Sequence, residues 1–255
     1  MAAVPDTVQL KKWYAQDVAV GLAGMFADIE TTSDRDSKLL KQFCFSSILL
    51  KVCRETRHWG YVCDNTAPRE NPRRNVAEIL QRTIDDIVVG LPDPIANAHP
   101  VTRPEVVEEQ AANICQVIAP ESVDLVVTSP PYFGVVDYVK SQRLSFEWFG
   151  FDLEQRRQAE MGARSKRHRR QAAAEFTQQL NASFGAIVDV MKPGAACAVV
   201  FGVSPTRTFS FENLAAIFEE AGLFLHSGHA RDVSLQRALK PSVLTERLYI
   251  LTKPT

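Results

Sequence analysis

The 255-residue chain carries 29 Lys and Arg against 30 Asp and Glu, and 45% of its residues are hydrophobic. This is enough to bury the core of one α/β domain or two smaller ones, and the net charge of −1 excludes a global pull toward nucleic acid or membrane. Five scattered cysteines without a C-x-x-C pair point to reduced thiols, and neither they nor the five histidines show metal-ligand spacing, so no metal is expected.

In chain order, apolar residues at Leu10, Tyr14, Val18, Leu22, Met25 and Ile29 predict one amphipathic helix over 8–29. A second helix is expected after Ser33 or Asp34, with Leu39, Leu40, Phe43, Ile48, Leu50 and Cys53 facing inward. Residues 54–74 lack periodicity and read as a long loop. Asn75 then has the form of an N-cap, with Glu78 placed for a capping box, and Val76, Ile79, Leu80, Ile84, Ile87 and Val88 make one face of a helix that ends at Gly90. Residues 1–91 are therefore predicted to be a helical N-terminal region.

Beyond a proline-rich connection the character changes, and 92–255 is expected to be an α/β region. A short strand is predicted at Glu105–Glu108 and a buried one at Val123–Thr128. A helix over 172–191 should be ended by Pro193-Gly194. A strand at 196–202 with apolar residues on both faces suits the centre of a covered sheet. A helix at 212–221 and strands near 223–229 and 247–251 complete an open sheet whose final pair is antiparallel. No apolar run approaches ~18 residues and no signal-peptide pattern opens the chain, so a cytoplasmic, nucleoid-associated protein is expected.

Within "DLVVTSPPY" the strand ends at Thr128 and is followed at once by Ser129-Pro130-Pro131-Tyr132. In open α/β sheets ligands bind beyond the carboxyl ends of strands, which is where this loop is expected. Two prolines fix their own φ and restrict the residue before each, so the loop is stiff before any ligand arrives. Prolines offer carbonyl acceptors and no N–H. With the Ser129 hydroxyl and the flat ring of Tyr132 they suit a planar group carrying an NH2. The plainer reading is that Pro-Pro simply stops a strand.

"DLVVTSPPY" resembles the catalytic loop of the amino-methylating DNA methyltransferases, which act on N4 of cytosine or N6 of adenine. The flanking "VDYVKSQRLSFEWFGFDLEQRRQAEMGAR" and "LKQFCFSSILLKVCRETRH" are similar to the segments after and before that loop in one bacterial branch. The resemblance implies a Rossmann-like class I sheet of order 3-2-1-4-5-7-6, with a target base flipped from the duplex into the loop. It gives Ser129, Pro130, Pro131 and Tyr132 the catalytic role, S-adenosyl-L-methionine as cofactor and double-stranded DNA as substrate. Serine at the first loop position leans toward cytosine N4. RNA or a protein glutamine amide would present a similar NH2, and a noncatalytic DNA-binding subunit would also hold a flipped base.

None of the twelve glycines forms G-x-G, so the F-x-G-x-G cofactor turn of the family is missing. The resemblance makes Val123–Thr128 strand 4, 196–202 strand 5 and the last pair strands 6 and 7. Glu105–Glu108 would be strand 3, and strands 1 and 2 have no counterpart. Strand 4 should then expose an apolar edge. The economical reading is a split enzyme, in which a complementary methyltransferase subunit carrying F-x-G-x-G docks beside strand 4; the alternatives are a chain that has lost cofactor binding or one whose cofactor site is built differently. Glu109 is the one cofactor-binding candidate here. The basic segment 154–175, with Arg156, Arg157, Arg164, Lys166, Arg167, Arg169 and Arg170, is the candidate DNA contact, and its Gly162 and Ser165 suggest a flexible loop. Arg69, Arg73 and Arg74 form a weaker second patch.

Overall fold

The computed structural model describes residues 5–6, 8–54, 62, 67–68, 75–90, 104–203, 209–232 and 245–255. The patch Arg69, Arg73 and Arg74, most of the expected loop over 54–74 and most of the proline-rich connection lie outside them. Packing divides the chain into two units: Met1–Thr102 with Tyr138–Ala159, and Arg103–Asp137 with Glu160–Thr255. The expected boundary at 91/92 differs from this division chiefly because 138–159 returns to the first unit.

The first unit is helical. The single helix expected over 8–29 is two, α1 (Val8–Trp13) and α2 (Gln16–Thr31), because Ala15 adopts an extended conformation with φ −67° and ψ 153°. At the break, buried Tyr14 donates its hydroxyl to the Leu49 carbonyl at 3.1 Å, and the Arg54 N–H donates to the Trp13 carbonyl at 2.7 Å. Burial raises the Tyr14 phenol well above its usual pKa.

Asp34 caps α3 (Arg35–Val52) by accepting the Ser37 N–H at 2.8 Å. Only the later half of α3 is inward: Cys44, Phe45, Ile48, Leu49 and Val52 are buried, whereas Leu39, Leu40 and Phe43, expected inside, are exposed. In α4 (Val76–Gly90) the Asn75 side chain accepts the Glu78 N–H at 3.2 Å, and the Glu78 carboxylate pairs with Arg82 one turn on. Val76 is buried, but Val88 is exposed, against expectation. The polar interior position of this helix, Thr83, accepts a hydrogen bond from Lys51 Nζ at 2.8 Å.

Three short helices, α5 (Tyr138–Ser141), α6 (Arg143–Trp148) and α7 (Leu153–Ala159), belong to this unit. Leu144 and Trp148 enter its core beside Val18, Leu22, Phe45 and Ile48. The Trp148 ring lies 5.3 Å from Phe45, 5.6 Å from Phe26 and 6.4 Å from Tyr14, centroid to centroid.

The second unit is a mixed four-stranded sheet. Its strands are β1 (Val123–Thr128), β2 (Met191–Val203), β3 (Phe224–Asp232) and β4 (Thr245–Thr252), in the order β1-β2-β4-β3. β1 runs parallel to β2, and β4 is antiparallel to both β2 and β3. This is the 4-5-7-6 half of the expected order. The strand expected at Glu105–Glu108 is absent: the segment is exposed coil, and among the described residues no strand pairs with it. A 3-10 turn follows at Ala111–Gln116, where the Cys115 thiol donates to the Ala186 carbonyl at 3.3 Å.

Helices α8 (Ala172–Val190) and α9 (Phe211–Glu220) share one core with Cys197, Val199 and Phe201 of β2 and Tyr249 and Leu251 of β4, supplying Phe176, Leu180, Phe184, Leu214, Ile217 and Phe218. Burial pushes the Cys197 thiol up to about 11. Ser210 starts α9 with a full capping box to Asn213. α8 ends within one residue of the expected position, just ahead of Pro193-Gly194. The helix stops at Val190 and β2 begins at Met191, so the Pro-Gly pair lies within the strand. There Met191 pairs with Val123 and Ala196 with Leu125, leaving Lys192 to Ala195 opposite Asp124 alone. Gly194, at φ +78°, anchors this bulge through its N–H to the Lys253 carbonyl at 2.9 Å.

The strand expected to be buried holds no buried residue: among the described residues β1 has a strand partner on one side only, and Leu125 and Val127 are 58% and 73% exposed. Such an edge is a template for pairing. Val127→Lys should change stability by no more than about 0.5 kcal/mol, the usual range for a surface position. It should also suppress concentration-dependent self-association of the isolated chain, measured by sedimentation velocity.

Candidate functional site

Thr128, paired with Val199, delivers the chain to the carboxyl end of the sheet, and the next residue, Ser129, is exposed there. Pro130, Pro131 and Tyr132 are half-buried, and Phe133 is the buried anchor that turns the loop back into the core. Its ring lies 5.2 Å from Phe176 and 6.3 Å from Phe209. The Val135 N–H closes a tight turn on the Tyr132 carbonyl at 3.2 Å, with Gly134 at φ +67°, a conformation that favours glycine. The loop thus leaves its first residue in solvent while its last is fixed by core packing.

The Tyr132 ring packs edge-on against Phe201 at 5.2 Å. Its hydroxyl donates to Glu246 Oε1 at 3.0 Å, and the Ser129 hydroxyl reaches the Tyr132 oxygen at 3.5 Å. Glu246 Oε2 accepts Arg231 Nε at 2.9 Å and Nη2 at 2.6 Å. Burial raises the Tyr132 phenol above its ordinary pKa; the hydrogen bond from Ser129 opposes this, and Glu246 adds to it. Sequence reading missed Glu246 and Arg231. No local pattern marks either residue: "ERLYIL" opens on two charged residues, Glu246 and Arg247, and only strand pairing singles out the first.

The basic segment is brought to this loop by three backbone contacts. The Gly134 N–H donates to the Gly162 carbonyl at 2.8 Å, the Arg164 N–H to the Val136 carbonyl at 3.1 Å, and the Ser165 N–H to Asp137 Oδ1 at 2.8 Å. The flexible loop expected around Gly162 and Ser165 is therefore a fixed turn. Gly162 adopts φ +63° with its α-carbon facing Phe176, so that an added Cβ would stand 2.7 Å from the ring. A short 3-10 turn, Arg164–Lys166, follows.

Several of the cations are committed internally. Lys166 Nζ donates to the Glu160 carbonyl at 2.9 Å, Arg167 Nη1 to the Arg164 carbonyl at 2.6 Å, and Arg169 pairs with Glu175. Arg164 and Arg170 are exposed. Arg156 and Arg157 belong to the first unit, where the Arg156 guanidinium lies 5.0 Å above the Phe151 ring. The seven basic residues thus do not share one unit. Glu109 uses its carboxylate locally, accepting the Gln110 N–H at 2.8 Å and Asn113 Nδ2 at 3.2 Å at the start of the 3-10 turn.

No family model matches the sequence, and no curated protein matches it. Among solved structures the chain is similar to a protein of Thermus thermophilus provisionally named a DNA modification methylase. The two share 16% identity over 57% of this chain and 51% of that one, with a TM-score of 0.34. It is also similar to the cytosine-N4-specific PvuII DNA methyltransferase, at 16% identity, 57% and 47% coverage and a TM-score of 0.37. An S-adenosylmethionine-dependent methyltransferase of Methanosarcina mazei gives 10% identity, 68% and 76% coverage and a TM-score of 0.37. The chain spans about half the length of the first two, and at these scores the likenesses add nothing to the geometry above.

Proposed function

We propose that this chain is the target-base-binding, catalytic subunit of a site-specific DNA methyltransferase that methylates an exocyclic amine, cytosine N4 in preference to adenine N6. The observation that carries this reading is the stiff Ser129–Tyr132 loop, held at the carboxyl end of β1 with its serine in solvent and its tyrosine ring fixed. Ser129 and the Pro130 carbonyl accept the hydrogens of a flipped base's amine while Tyr132 stacks on its face. The amine nitrogen is thereby held at one angle and one distance, and positioning of this kind is the main catalytic device available to the loop. Arg164, whose backbone is tied to the Val136 carbonyl just after the loop, and the exposed Arg170 neutralise backbone phosphates nearby.

The methyl donor of such a reaction is S-adenosyl-L-methionine, which supplies an electrophilic methyl group. The residues present do not make its site: no G-x-G turn exists in the sequence, and the carboxylate of Glu109 is engaged within its own turn. A complementary subunit bearing F-x-G-x-G fits this gap, docking beside β1, whose second edge has no strand among the described residues and whose Leu125 and Val127 are exposed.

The test mixes this chain with such a subunit and measures methyl transfer to duplex DNA. The pair should methylate, and the chain alone should bind the donor weakly or not at all. Loss of one stacking ring is worth about 1–3 kcal/mol, so Tyr132→Ala should lower the pair's activity by about tenfold to a hundredfold. Ser129→Ala should act in the same direction. Full activity in both variants removes the catalytic reading, and full activity of the chain alone removes the split enzyme.

A further inference from the structure

Glu246 and Arg231 lie outside the Ser-Pro-Pro-Tyr loop, yet Glu246 holds the hydroxyl of its tyrosine and Arg231 holds Glu246. They are direct partners across the β3–β4 ladder, so the sheet fixes the spacing of their backbones, and the 73% exposed Arg231 side chain reaches Glu246 across it. On the other side of β4 the residue paired with Glu246 is Gly202, so no side chain stands at that position of β2, between Glu246 and the end of β1. The Glu246 carboxylate is 17% exposed and has both oxygens occupied: Oε1 by the Tyr132 hydroxyl at 3.0 Å, and Oε2 by two Arg231 nitrogens at 2.9 and 2.6 Å. A carboxylate held in this way accepts only, and Tyr132 must therefore donate to it.

The direction of that bond constrains the next one. With its hydrogen given to Glu246, the phenol oxygen is left as an acceptor toward Ser129, whose hydroxyl lies 3.5 Å away, at the outer limit of a hydrogen bond. A serine whose hydrogen points at Tyr132 turns its lone pairs outward. We propose that Arg231, Glu246 and Tyr132 form a polarised hydrogen-bond relay that presents Ser129 as an acceptor and so selects a donor, such as a neutral NH2 group, as its ligand. Glu246 and Arg231 act here as positioning residues. The assignment deepens the amine-holding reading of the loop and rests on it for its ligand. The relay itself is a property of this chain alone.

The first experiment needs no partner. Tyrosine labelled at the ζ carbon is titrated by NMR in the isolated chain, with Tyr132 assigned by its disappearance in Tyr132→Phe. Glu246→Gln keeps the shape and removes the negative charge, so the Tyr132 phenol should ionise at lower pH. Arg231→Ala removes the compensating positive charge and should move the midpoint the other way. A midpoint unchanged in both variants, or moved in the same direction by both, overturns the relay.

The second experiment measures methyl transfer by the assembled enzyme. Tyr132→Phe keeps the stacking ring and breaks the relay. It should lower kcat by about tenfold, the value of one hydrogen bond at ~1.4 kcal/mol, with little change in KM. Glu246→Ala should match it, and Glu246→Gln should recover part of the loss. If Tyr132→Ala is inactive while Tyr132→Phe and Glu246→Ala keep full activity, the relay fails and the stacking role stands. If Tyr132→Ala is itself fully active, the amine-holding reading fails, whatever the titration gives.

Discussion

Gly162→Ala should destabilise the second unit by about 3 kcal/mol, far more than a surface alanine normally costs. Two terms add. At φ +63° any residue with a Cβ is strained, by about 1 kcal/mol. The new methyl would also stand 2.7 and 2.9 Å from two carbons of the Phe176 ring, which is fully buried against Phe133 and Phe209 and has nowhere to retreat. Overpacking of this kind costs about 2 kcal/mol more. Gly222→Ala is the matched control: it shares the positive φ, at +79°, but meets nothing within 4 Å, so it should show only the backbone cost of about 1 kcal/mol. Urea unfolding of the two variants beside the parent separates the terms, and equal losses would show that the Phe176 wall contributes nothing. The same substitution should loosen the Gly134–Gly162 contact that ties the basic turn to the Ser-Pro-Pro-Tyr loop.

Trp148→Ala should cost the first unit about 4 kcal/mol, the usual range for emptying an aromatic site in a core. Trp148 is fully buried, and Phe45, Phe26 and Tyr14 surround its ring on α3, α2 and the break between α1 and α2. Rigid aromatic neighbours collapse poorly into the space left behind, which keeps the cost from falling to the lower end of that range. Amide hydrogen exchange in α2 and α3 is the direct readout: their slowest amides should lose protection by about a thousandfold, the equivalent of ~4 kcal/mol. Unchanged protection there would mean that 138–159 does not belong to the helical core, despite the packing of Leu144 and Trp148 within it.

That membership was hidden in the sequence. Only five residues separate 138–159 from the Ser-Pro-Pro-Tyr loop, and nothing in a local pattern says that Leu144 and Trp148 pack among residues about a hundred positions earlier. The strands were legible where apolar runs were bounded by turn residues, as at Val123–Thr128 and 196–202. Glu105–Glu108 had the composition of a strand without a neighbour, and pairing, not composition, decides whether a strand forms. The break at Ala15 was invisible because the apolar spacing runs on unbroken through Tyr14, whose hydroxyl is instead drawn to Leu49. Leu39, Leu40 and Phe43 fit a helical face but lie on the half of α3 that the core leaves uncovered.

Of the candidate site, the loop could be read locally because proline stiffness and the serine and tyrosine chemistry are all carried by four consecutive residues. Glu246 and Arg231 could not, since only the β3–β4 register brings them opposite each other, and only the β1-β2-β4 order brings them to Tyr132. The basic segment was legible as charge but not as structure: the division between the units at Ala159 and Glu160 cuts it in two, and several of its cations are spent on internal acceptors.

The bulge at the start of β2 has a consequence for how this chain tolerates changes in length. Pairing with β1 resumes at Ala196 opposite Leu125 and then runs without interruption to Val199, while pairing with β4 runs from Ala196 to Val203. Side-chain alternation in the sheet is thus counted from Ala196 onward, and because Gly194 and Ala195 are tied to Lys253 through their backbones, only Lys192 and Pro193 act as slack. A residue gained or lost between Met191 and Gly194 would be absorbed before the count begins, leaving Cys197, Val199 and Phe201 pointed at the helices as before.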